Sequence, residues 1–153
     1  MIKYPSIEQF RTIIKNVQHA AQYVRYDEAT GQPIMNRGAA MPKVTAVAIE
    51  KIHGSHMGIC YSNPDGFWVQ SRENIITPES DNAGCAFQAM QNQSAWMDVI
   101  ERLAKEHNVD LNTRIITAYA EWCGGNIQKN SAVSGLDKMA IIFRHFKVSP
   151  LEP

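Results

Sequence analysis

The stretch MGICYSNPDGFWVQSR, residues 57–72, predicts the fold class of this protein. Within it, Met57–Ser62 and Phe67–Arg72 are both rich in strand-forming residues. Between them, Asn63-Pro64-Asp65-Gly66 is a turn signal, because proline fixes φ and glycine tolerates a positive φ. The stretch therefore predicts a β-hairpin, and a hairpin places its two strands antiparallel.

Three segments outside the hairpin are also predicted to be strands. Val44–Lys51, Arg114–Glu121 and Met139–Val148 are apolar and rich in strand-forming residues. Strands and helices do not alternate regularly along the chain, which argues against a doubly wound parallel sheet. We predict an α+β fold with mostly antiparallel sheets and flanking helices, and a single domain over residues 1–153.

Two helices are predicted. Ser6-Ile7-Glu8-Gln9 is a capping-box pattern, in which the serine caps the first-turn amides and Gln9 reaches back. Ser94 is the predicted N-cap of the second helix. Apolar residues recur at helical spacing in each segment: Ile7, Phe10, Ile13, Ile14, Val17, Ala21 and Val24 in the first, and Trp96, Val99, Ile100, Leu103 and His107 in the second. Residues 27–42 are predicted to form a loop, and residues 73–93 show no clear pattern.

Charge and cysteine content argue against several classes of protein, among them membrane proteins and disulfide-rich secreted proteins. Lys plus Arg and Asp plus Glu are each 15, so a net charge of zero gives no global case for nucleic-acid or membrane binding. No stretch approaches the roughly 20 apolar residues of a membrane span, and the N-terminus lacks a signal-peptide core. Cys60, Cys85 and Cys123 include no CxxC pair, which favours reduced thiols over disulfides or a zinc ribbon. We expect a cytoplasmic protein that does not associate with membranes.

Lys51 is the first candidate for chemistry. It ends a predicted strand, and Gly54 follows three residues later, where a glycine lets the backbone approach a ligand closely. Lysine acts as a nucleophile only in its neutral form, which is rare at pH 7 unless burial or nearby cations favour it. Lys51 is therefore either a covalent nucleophile in a pocket or an ordinary surface lysine at the end of a strand.

Two charged residues at other predicted strand ends extend this candidate site. Arg72 ends the hairpin beside the Lys51 segment, and Glu121 ends a strand before a Cys-Gly-Gly turn. Lysine and arginine bind phosphate groups, and a carboxylate accepts hydrogen bonds from ribose hydroxyls. Together, Lys51, Arg72 and Glu121 therefore indicate a nucleotide site. The alternative interpretation is that Arg72 and Glu121 are surface charges. His53 and His56 have no third ligand cluster nearby, which argues against a metal site.

The residues around these candidates resemble the covalent nucleotidyltransferases, the superfamily of DNA ligases, RNA ligases and mRNA capping enzymes. Glu50–Ser55, with the sequence Glu-Lys-Ile-His-Gly-Ser, is similar to motif I, in the histidine-containing form typical of the RNA ligase 2 family of phages and kinetoplastid editing ligases. Glu121–Asn130 resembles motif III of that family and the residues after it. Ser71-Arg72 falls at the place of motif Ia, and Met139–Val148 occupies the place of motif IIIa.

The resemblance implies an ATP-dependent RNA ligase, which joins 3′-hydroxyl and 5′-phosphate groups at RNA ends or nicks through lysyl-AMP and RNA-adenylate intermediates. Lys51 would take the AMP, and His53 would act in the later steps. Nucleotide-binding roles fall to four residues: Glu50 beside the adenine, Arg72 at ribose or phosphate, Glu121 at the ribose hydroxyls and Phe146 on the adenine face. ATP and Mg²⁺ are the implied cofactors, and the ion would be held mainly by phosphates and water. A phage origin would place the protein in the host cytoplasm.

The chain departs from that family in two ways. Lys147 follows Phe146 where the family often has an acidic residue, so Phe143 competes with Phe146 for the stacking role. Motif IV, with its metal-binding glutamate, and motif V, with its phosphate-binding lysines, have no counterpart before Pro153. We therefore expect a partial, ATP-grasp-like nucleotidyltransferase domain that a second chain or a missing C-terminal part completes. The alternatives are a non-catalytic fragment that binds nucleotide or RNA and, with less support, a DNA ligase.

Overall fold

The computed structural model describes residues 1–81 and 83–151, and for Arg144 the backbone alone. These residues form two compact units. The smaller unit is Pro5–Ile49, and the larger unit combines Met1–Tyr4 with the chain from Glu50 onward. Within the described ranges, no helix has the length and apolar character needed to cross a membrane. That the whole chain forms one domain stays a prediction.

The smaller unit contains a helix and a two-stranded antiparallel sheet: α1 (Phe10–Gln22), β1 (Tyr23–Asp27) and β2 (Gln32–Met35). The loop predicted over residues 27–42 is partly wrong, because β2 lies inside it. Asp27 organises the hairpin turn. Its carboxylate accepts hydrogen bonds from the Ala29 N–H at 3.0 Å and from the Thr30 hydroxyl at 2.8 Å.

The capping box predicted at the start of α1 is wrong. The helix begins at Phe10, and Gln9 occupies the N-cap position with an extended backbone. The Gln9 carbonyl accepts the first helical hydrogen bonds, from the Thr12 N–H at 2.8 Å and the Ile13 N–H at 3.2 Å. Ser6 lies outside the helix. A side-chain cap contributes only about 1 kcal/mol, so the rest of the chain readily overrides a capping pattern.

The larger unit is built on a five-stranded antiparallel sheet with the strand order β5-β4-β3-β6-β7. Its strands are β3 (Ser55–Ser62), β4 (Gly66–Gln70), β5 (Ile75–Ile76), β6 (Arg114–Cys123) and β7 (Met139–Pro150). The predicted hairpin is confirmed as β3 and β4, with Ser62 opposite Gly66 across the turn. The strands predicted at residues 114–121 and 139–148 are confirmed as β6 and β7, which both continue slightly further.

The strand predicted over Val44–Lys51 is wrong. Residues 36–54 contain no strand, and the side chains of Val47 and Ile49 are 88% and 86% exposed. In the sheet, β3 already has β4 on one side and β6 on the other, so neither of its edges is free for residues 44–51. Strand propensity expresses packing on a pleated, half-buried surface, and it is not realised without a neighbouring strand.

Two helices cover one face of the five-stranded sheet: α2 (Cys85–Gln91) and α3 (Gln93–Glu106). One buried cluster joins them to the sheet and contains Met57, Ile59, Val69, Cys85, Ala86, Ala89, Trp96, Ala120 and Trp122. A second cluster packs Ile100 and Ala104 of α3 against Ile116 and Ala118 of β6. The second predicted helix is confirmed as α3, with Asn92 rather than Ser94 at its N-cap.

The start of α2 is stabilised by a residue outside the helix, in the segment that showed no clear pattern. The Asp81 carboxylate accepts hydrogen bonds from the N–H groups of Ala83, Gly84, Ala86 and Phe87, at 3.2, 3.1, 2.6 and 3.0 Å. Burial opposes ionisation of Asp81, but these bonds hold its pKa below the ordinary value. The ionised carboxylate therefore stabilises the fold at neutral pH, and this contribution is lost as the pH falls through the acidic range.

The fold is α+β with antiparallel sheets, as predicted. Successive residues of a strand point to opposite faces of a sheet. Because Met57 and Ile59 face the helices, their alternating neighbours face the other way. We call this second side, opposite α2 and α3, the open face. The following residues lie on it: His56, Gly58, Gln70, Thr117, Tyr119 and Glu121.

Packing of α3 on the sheet predicts a large cost for truncating Ile100, which is fully buried. We expect Ile100→Ala to lower the free energy of unfolding by roughly 2–5 kcal/mol, because it leaves a cavity against Ile116. The matched control is Ile75→Ala, at a side chain that is 54% exposed. Its loss should stay below about 1 kcal/mol. Urea unfolding followed by circular dichroism measures both, and equal losses contradict this packing.

Candidate functional site

Glu50–Gly54 form a loop that leads into β3, and we call this segment the lysine loop. Lys51 is therefore not at the end of a buried strand, as the sequence had suggested, but in unpaired backbone ahead of one. The side chains of Glu50, Lys51 and His53 are all exposed. A nucleotide could reach the Lys51 amine without displacing any part of the core.

The lysine loop is fixed at its C-terminal end by Gly54. The Gly54 N–H donates a hydrogen bond to Oε1 of Glu121 at 2.8 Å. On the other side of the same residue, the Gly54 carbonyl accepts a hydrogen bond from Nε2 of Gln128 at 3.5 Å. Two motifs that are distant in sequence, one around Lys51 and one beginning at Glu121, are thereby joined directly.

Gly54 also approaches β6 too closely for any side chain. A Cβ atom at this position would overlap the carbonyl oxygen of Trp122 and lie 2.9 Å from Cβ of Cys123. Since a backbone carbonyl within a paired strand has little room to move, the obstacle is rigid. The glycine is therefore required for the lysine loop to reach Glu121.

Glu121 and Arg72 both act on His56, which lies opposite Glu121 in the β3–β6 pairing. Partial burial lowers the pKa of His56 below its ordinary value. The Glu121 carboxylate raises this pKa, and the Arg72 guanidinium lowers it further. The structure thus brings the arginine and the glutamate together around one half-buried histidine on the open face.

Phe146 is not part of this group. It lies opposite Ala118 in β6, packs with the Ile100 cluster under α3, and has its ring centroid 4.6 Å from that of His107. The structure therefore corrects the predicted placement, because the sheet separates Phe146 from Glu121. Phe143 is the phenylalanine on the open face, with its ring centroid 6.3 Å from that of His56.

A bulge in β7 determines which of its aromatic residues reach the open face. Ala118 lies opposite Phe146 and Ala120 opposite Ile142, so residues 143–145 face the single residue Tyr119. Extra residues of this kind bend a strand and redirect its side chains. Here the bulge brings Phe143 and His145 beside Tyr119, whose ring is nearly parallel to that of His145 at 6.2 Å.

All of the predicted site residues lie within the part of the chain that matches a known family. A family model described as RNA ligase matches residues 44–151. The chain belongs to the RNA ligase family. This membership is consistent with the RNA ligase 2 resemblance of the lysine loop and of Glu121–Asn130. Searches of curated proteins and of solved structures found no significant match.

The cysteines of this RNA ligase family member are poor candidates for a catalytic nucleophile. Cys60, Cys85 and Cys123 are free and buried. Burial raises the pKa of Cys60 and of Cys85 to about 12, so both thiols stay protonated near neutral pH and are poor nucleophiles. Over residues 1–81 and 83–151, no three or more His, Cys, Asp or Glu side chains form a group that could hold a metal ion. Lys51 remains the candidate nucleophile.

Several aromatic neighbours of the site in this RNA ligase family member were not predicted from the sequence. His56 had been considered only as a metal ligand, although strand alternation from Met57 places it on the face opposite the core. The same alternation places Tyr119 on the face of Glu121. Tyr4, which contacts both His56 and Tyr119, carried no sequence signal, because nothing in a four-residue segment indicates where it packs.

The close approach of Gly54 to β6 can be tested by adding one methyl group. We expect Gly54→Ala to cost about 1–3 kcal/mol of unfolding free energy, because the new Cβ overlaps backbone atoms. The matched control is Gly135→Ala, where a Cβ meets no atom within 4 Å. Urea unfolding compares the two variants. If they are equally stable, Gly54 does not pack against Trp122.

The charges around His56 predict two opposite titration shifts. Glu121→Gln removes an anion and should lower the pKa of His56, whereas Arg72→Gln removes a cation and should raise it. NMR titration of the His56 ring protons measures both shifts. Glu73→Gln, next to Arg72 in sequence, is the control and should leave the titration unchanged. A His56 pKa that responds to neither Glu121 nor Arg72 contradicts the geometry described above.

Proposed function

We propose that this protein is an ATP-dependent RNA ligase in which Lys51 becomes covalently attached to AMP. The observation that carries the proposal is the hydrogen bond from the Gly54 N–H to Glu121, which ties the lysine loop to the strand that carries the carboxylate. Membership of the RNA ligase family supports the class of reaction. The use of ATP, the lysyl-AMP intermediate and the RNA substrate are parts of the proposal.

In the first step, the neutral Nζ of Lys51 attacks the α-phosphorus of ATP, supplied as its magnesium complex. A nitrogen–phosphorus bond forms, the bond to the bridging oxygen breaks, and pyrophosphate leaves. An oxygen of the 5′-phosphate at an RNA end or nick then attacks the phosphorus of the AMP, the nitrogen–phosphorus bond breaks, and Lys51 is released. Finally the 3′-hydroxyl of the neighbouring end attacks that phosphate and releases AMP. His53, exposed at the end of the lysine loop, is assigned to these later steps.

Glu121 is suited to hold the ribose of the nucleotide. Its Oε1 accepts the Gly54 N–H, which orients the carboxylate and leaves Oε2 for a ribose hydroxyl. A carboxylate that accepts from two donors is a strong and directional partner. Arg72, exposed near His56, supplies a cation for ribose or phosphate oxygens. With Glu121 on the ribose and Arg72 on ribose or phosphate oxygens, the sugar and the α-phosphate would lie beside the lysine loop.

The adenine is assigned to the aromatic side of the same site. Phe143, rather than Phe146, is the stacking residue that we propose, because Phe143 shares the open face with Glu121. Glu50, adjacent to Lys51, is assigned to the edge of the base. The three free cysteines agree with a reducing compartment, and we extend the proposal to a cytoplasmic enzyme.

A second candidate function is favoured by the exposure of Lys51 and of the rest of the lysine loop. A lysine nucleophile needs burial or neighbouring cations, and a partner chain or a further part of this protein could supply them. In that case this chain binds ATP but forms no adduct alone. The two candidates differ in a single measurable step.

The proposal predicts an adenylylated lysine. After incubation with ATP and Mg²⁺, the intact mass of the wild-type chain should rise by one adenylyl group. Lys51→Arg keeps the positive charge but removes the nucleophile, so it should show no adduct. Lys43→Arg, at an exposed lysine shortly before the lysine loop, is the matched control and should react like the wild type.

Three results distinguish the candidates. An adduct that disappears only in Lys51→Arg is the expected result. ATP binding without an adduct in any variant supports the second candidate, in which the chemistry needs a partner. An adduct that persists in Lys51→Arg, or a chain that neither binds ATP nor reacts with it, contradicts the proposal.

A further inference from the structure

The N-terminal segment Met1–Tyr4 belongs to the larger unit and lies on its open face. The side-chain amide of Gln70 forms two hydrogen bonds with the backbone of Ile2: it accepts the N–H at 2.9 Å and donates to the carbonyl at 2.5 Å. Both Gln70 and Ile2 are buried. The segment is therefore fixed to β4 by a buried amide that bonds through both its oxygen and its nitrogen.

Residues from three other strands support this anchor. Gly58 of β3 lies opposite Gln70, and a Cβ there would come within 3.0 Å of the glutamine side chain. The Tyr119 hydroxyl of β6 lies 3.3 Å from the Ile2 carbonyl and 3.2 Å from the Lys3 carbonyl, and donates to them. Lys147 of β7 donates to the Lys3 carbonyl at 3.5 Å. The position of the next residue, Tyr4, is thus set by the sheet itself.

The ring of Tyr4 stands on a group of aromatic side chains beside the proposed nucleotide site. Its ring centroid lies close to those of four neighbours: Tyr119 at 4.9 Å, His56 at 5.4 Å, His145 at 5.6 Å and Phe143 at 5.8 Å. The Tyr4 ring is inclined by 67–90° to each of these four rings. Each of these four contacts is therefore an edge-to-face contact.

An inclined, half-buried ring in this position can accept a planar ligand. The edge-to-face contacts fix the orientation of the Tyr4 ring, and Tyr4 is partly exposed. Two neighbours of Tyr4 belong to the proposed site. The charges of Glu121 and Arg72 act on His56, and Phe143 is the proposed stacking residue. A purine whose ribose is held by Glu121 would lie within reach of this ring.

We propose that Tyr4 is a nucleotide-binding residue of this ligase, and that its ring packs against the purine base together with Phe143. The inference rests on the proposed function, because it takes the ATP site to be at Glu121. It assigns the N-terminal segment, outside the matched residues 44–151, to the substrate site. The base of the mononucleotide, rather than its phosphates, is the group that Tyr4 recognises.

Binding measurements on Tyr4 variants separate the base from the phosphates. Tyr4→Leu should weaken ATP binding in equilibrium dialysis by about 5- to 150-fold, the range expected for one lost base–aromatic contact. Binding of tripolyphosphate, which has no base, should be unchanged in the same variant. Tyr4→Phe keeps the ring and should bind ATP like the wild type. Phe87→Leu, at an exposed aromatic residue of α2, is the control and should bind normally.

A second measurement uses the wild-type chain and does not depend on whether Tyr4→Leu folds. With ¹³C-labelled tyrosine, adding ATP should shift the Tyr4 ring resonances, because the ring current of a purine packed against the ring acts on them. Tyr61, packed against the helix-covered cluster, is the internal control and should not shift.

The following outcomes overturn the inference. Tyr4→Leu that binds ATP as tightly as the wild type, or more tightly, shows that Tyr4 does not bind the base. If Tyr4→Leu loses affinity equally for ATP and for tripolyphosphate, Tyr4 has a structural role only. The same conclusion follows if the wild-type chain binds ATP and its Tyr4 resonances do not shift. A wild-type chain that binds no ATP overturns both this inference and the proposed function. The wild-type result therefore distinguishes the two failures.

Discussion

The contact between Gly54 and Glu121 is the constraint on which the site depends. The lysine loop has no strand partner of its own, so only its C-terminal end is fixed to the sheet. That end is held by a hydrogen bond to a carboxylate and by a backbone approach that only glycine permits. The same carboxylate lies opposite His56 and acts on it together with Arg72. One short contact therefore fixes the end of the lysine loop beside Glu121 and His56.

The two faces of the five-stranded sheet differ in the side chains that they carry. On the helix-covered face, small and branched side chains pack under α2 and α3, and Phe146 is one of the residues packed there. The open face carries a buried apolar cluster of Ile2, Cys60 and Ile115, and it also carries histidines, tyrosines, a glutamate and a glutamine. The Met1–Tyr4 segment is anchored on this face by a hydrogen bond from the Ile2 N–H to the buried Gln70 side chain. Sheet alternation thus explains how one strand, β7, contributes to both a core and a site.

Sequence patterns predicted those parts of the structure that depend on local signals. The hairpin of β3 and β4 was predicted from its turn, and β6 and β7 from long apolar runs. Val44–Lys51 had the same propensity, but both edges of β3, the strand that follows it, are occupied by β4 and β6. The role of Asp81 at α2 was not predicted, because residues 73–93 show no clear helical pattern and the carboxylate lies before the N-cap residue Gly84. Motif order indicated Lys51 and Glu121 as candidates for one site, whereas the choice between Phe143 and Phe146 required the register of β7 and its bulge.

The most direct test of this account is the rate of amide hydrogen exchange at Gly54, measured by NMR in the wild-type chain and in Glu121→Ala. The account predicts a protected Gly54 amide in the wild type, and exchange close to the rate of an unstructured peptide once the carboxylate is removed. The Ser55 amide, in the first residue of β3, serves as the internal reference for general unfolding. A Gly54 amide that exchanges freely in the wild type, or that stays protected without Glu121, would contradict the claim that this contact holds the lysine loop in place.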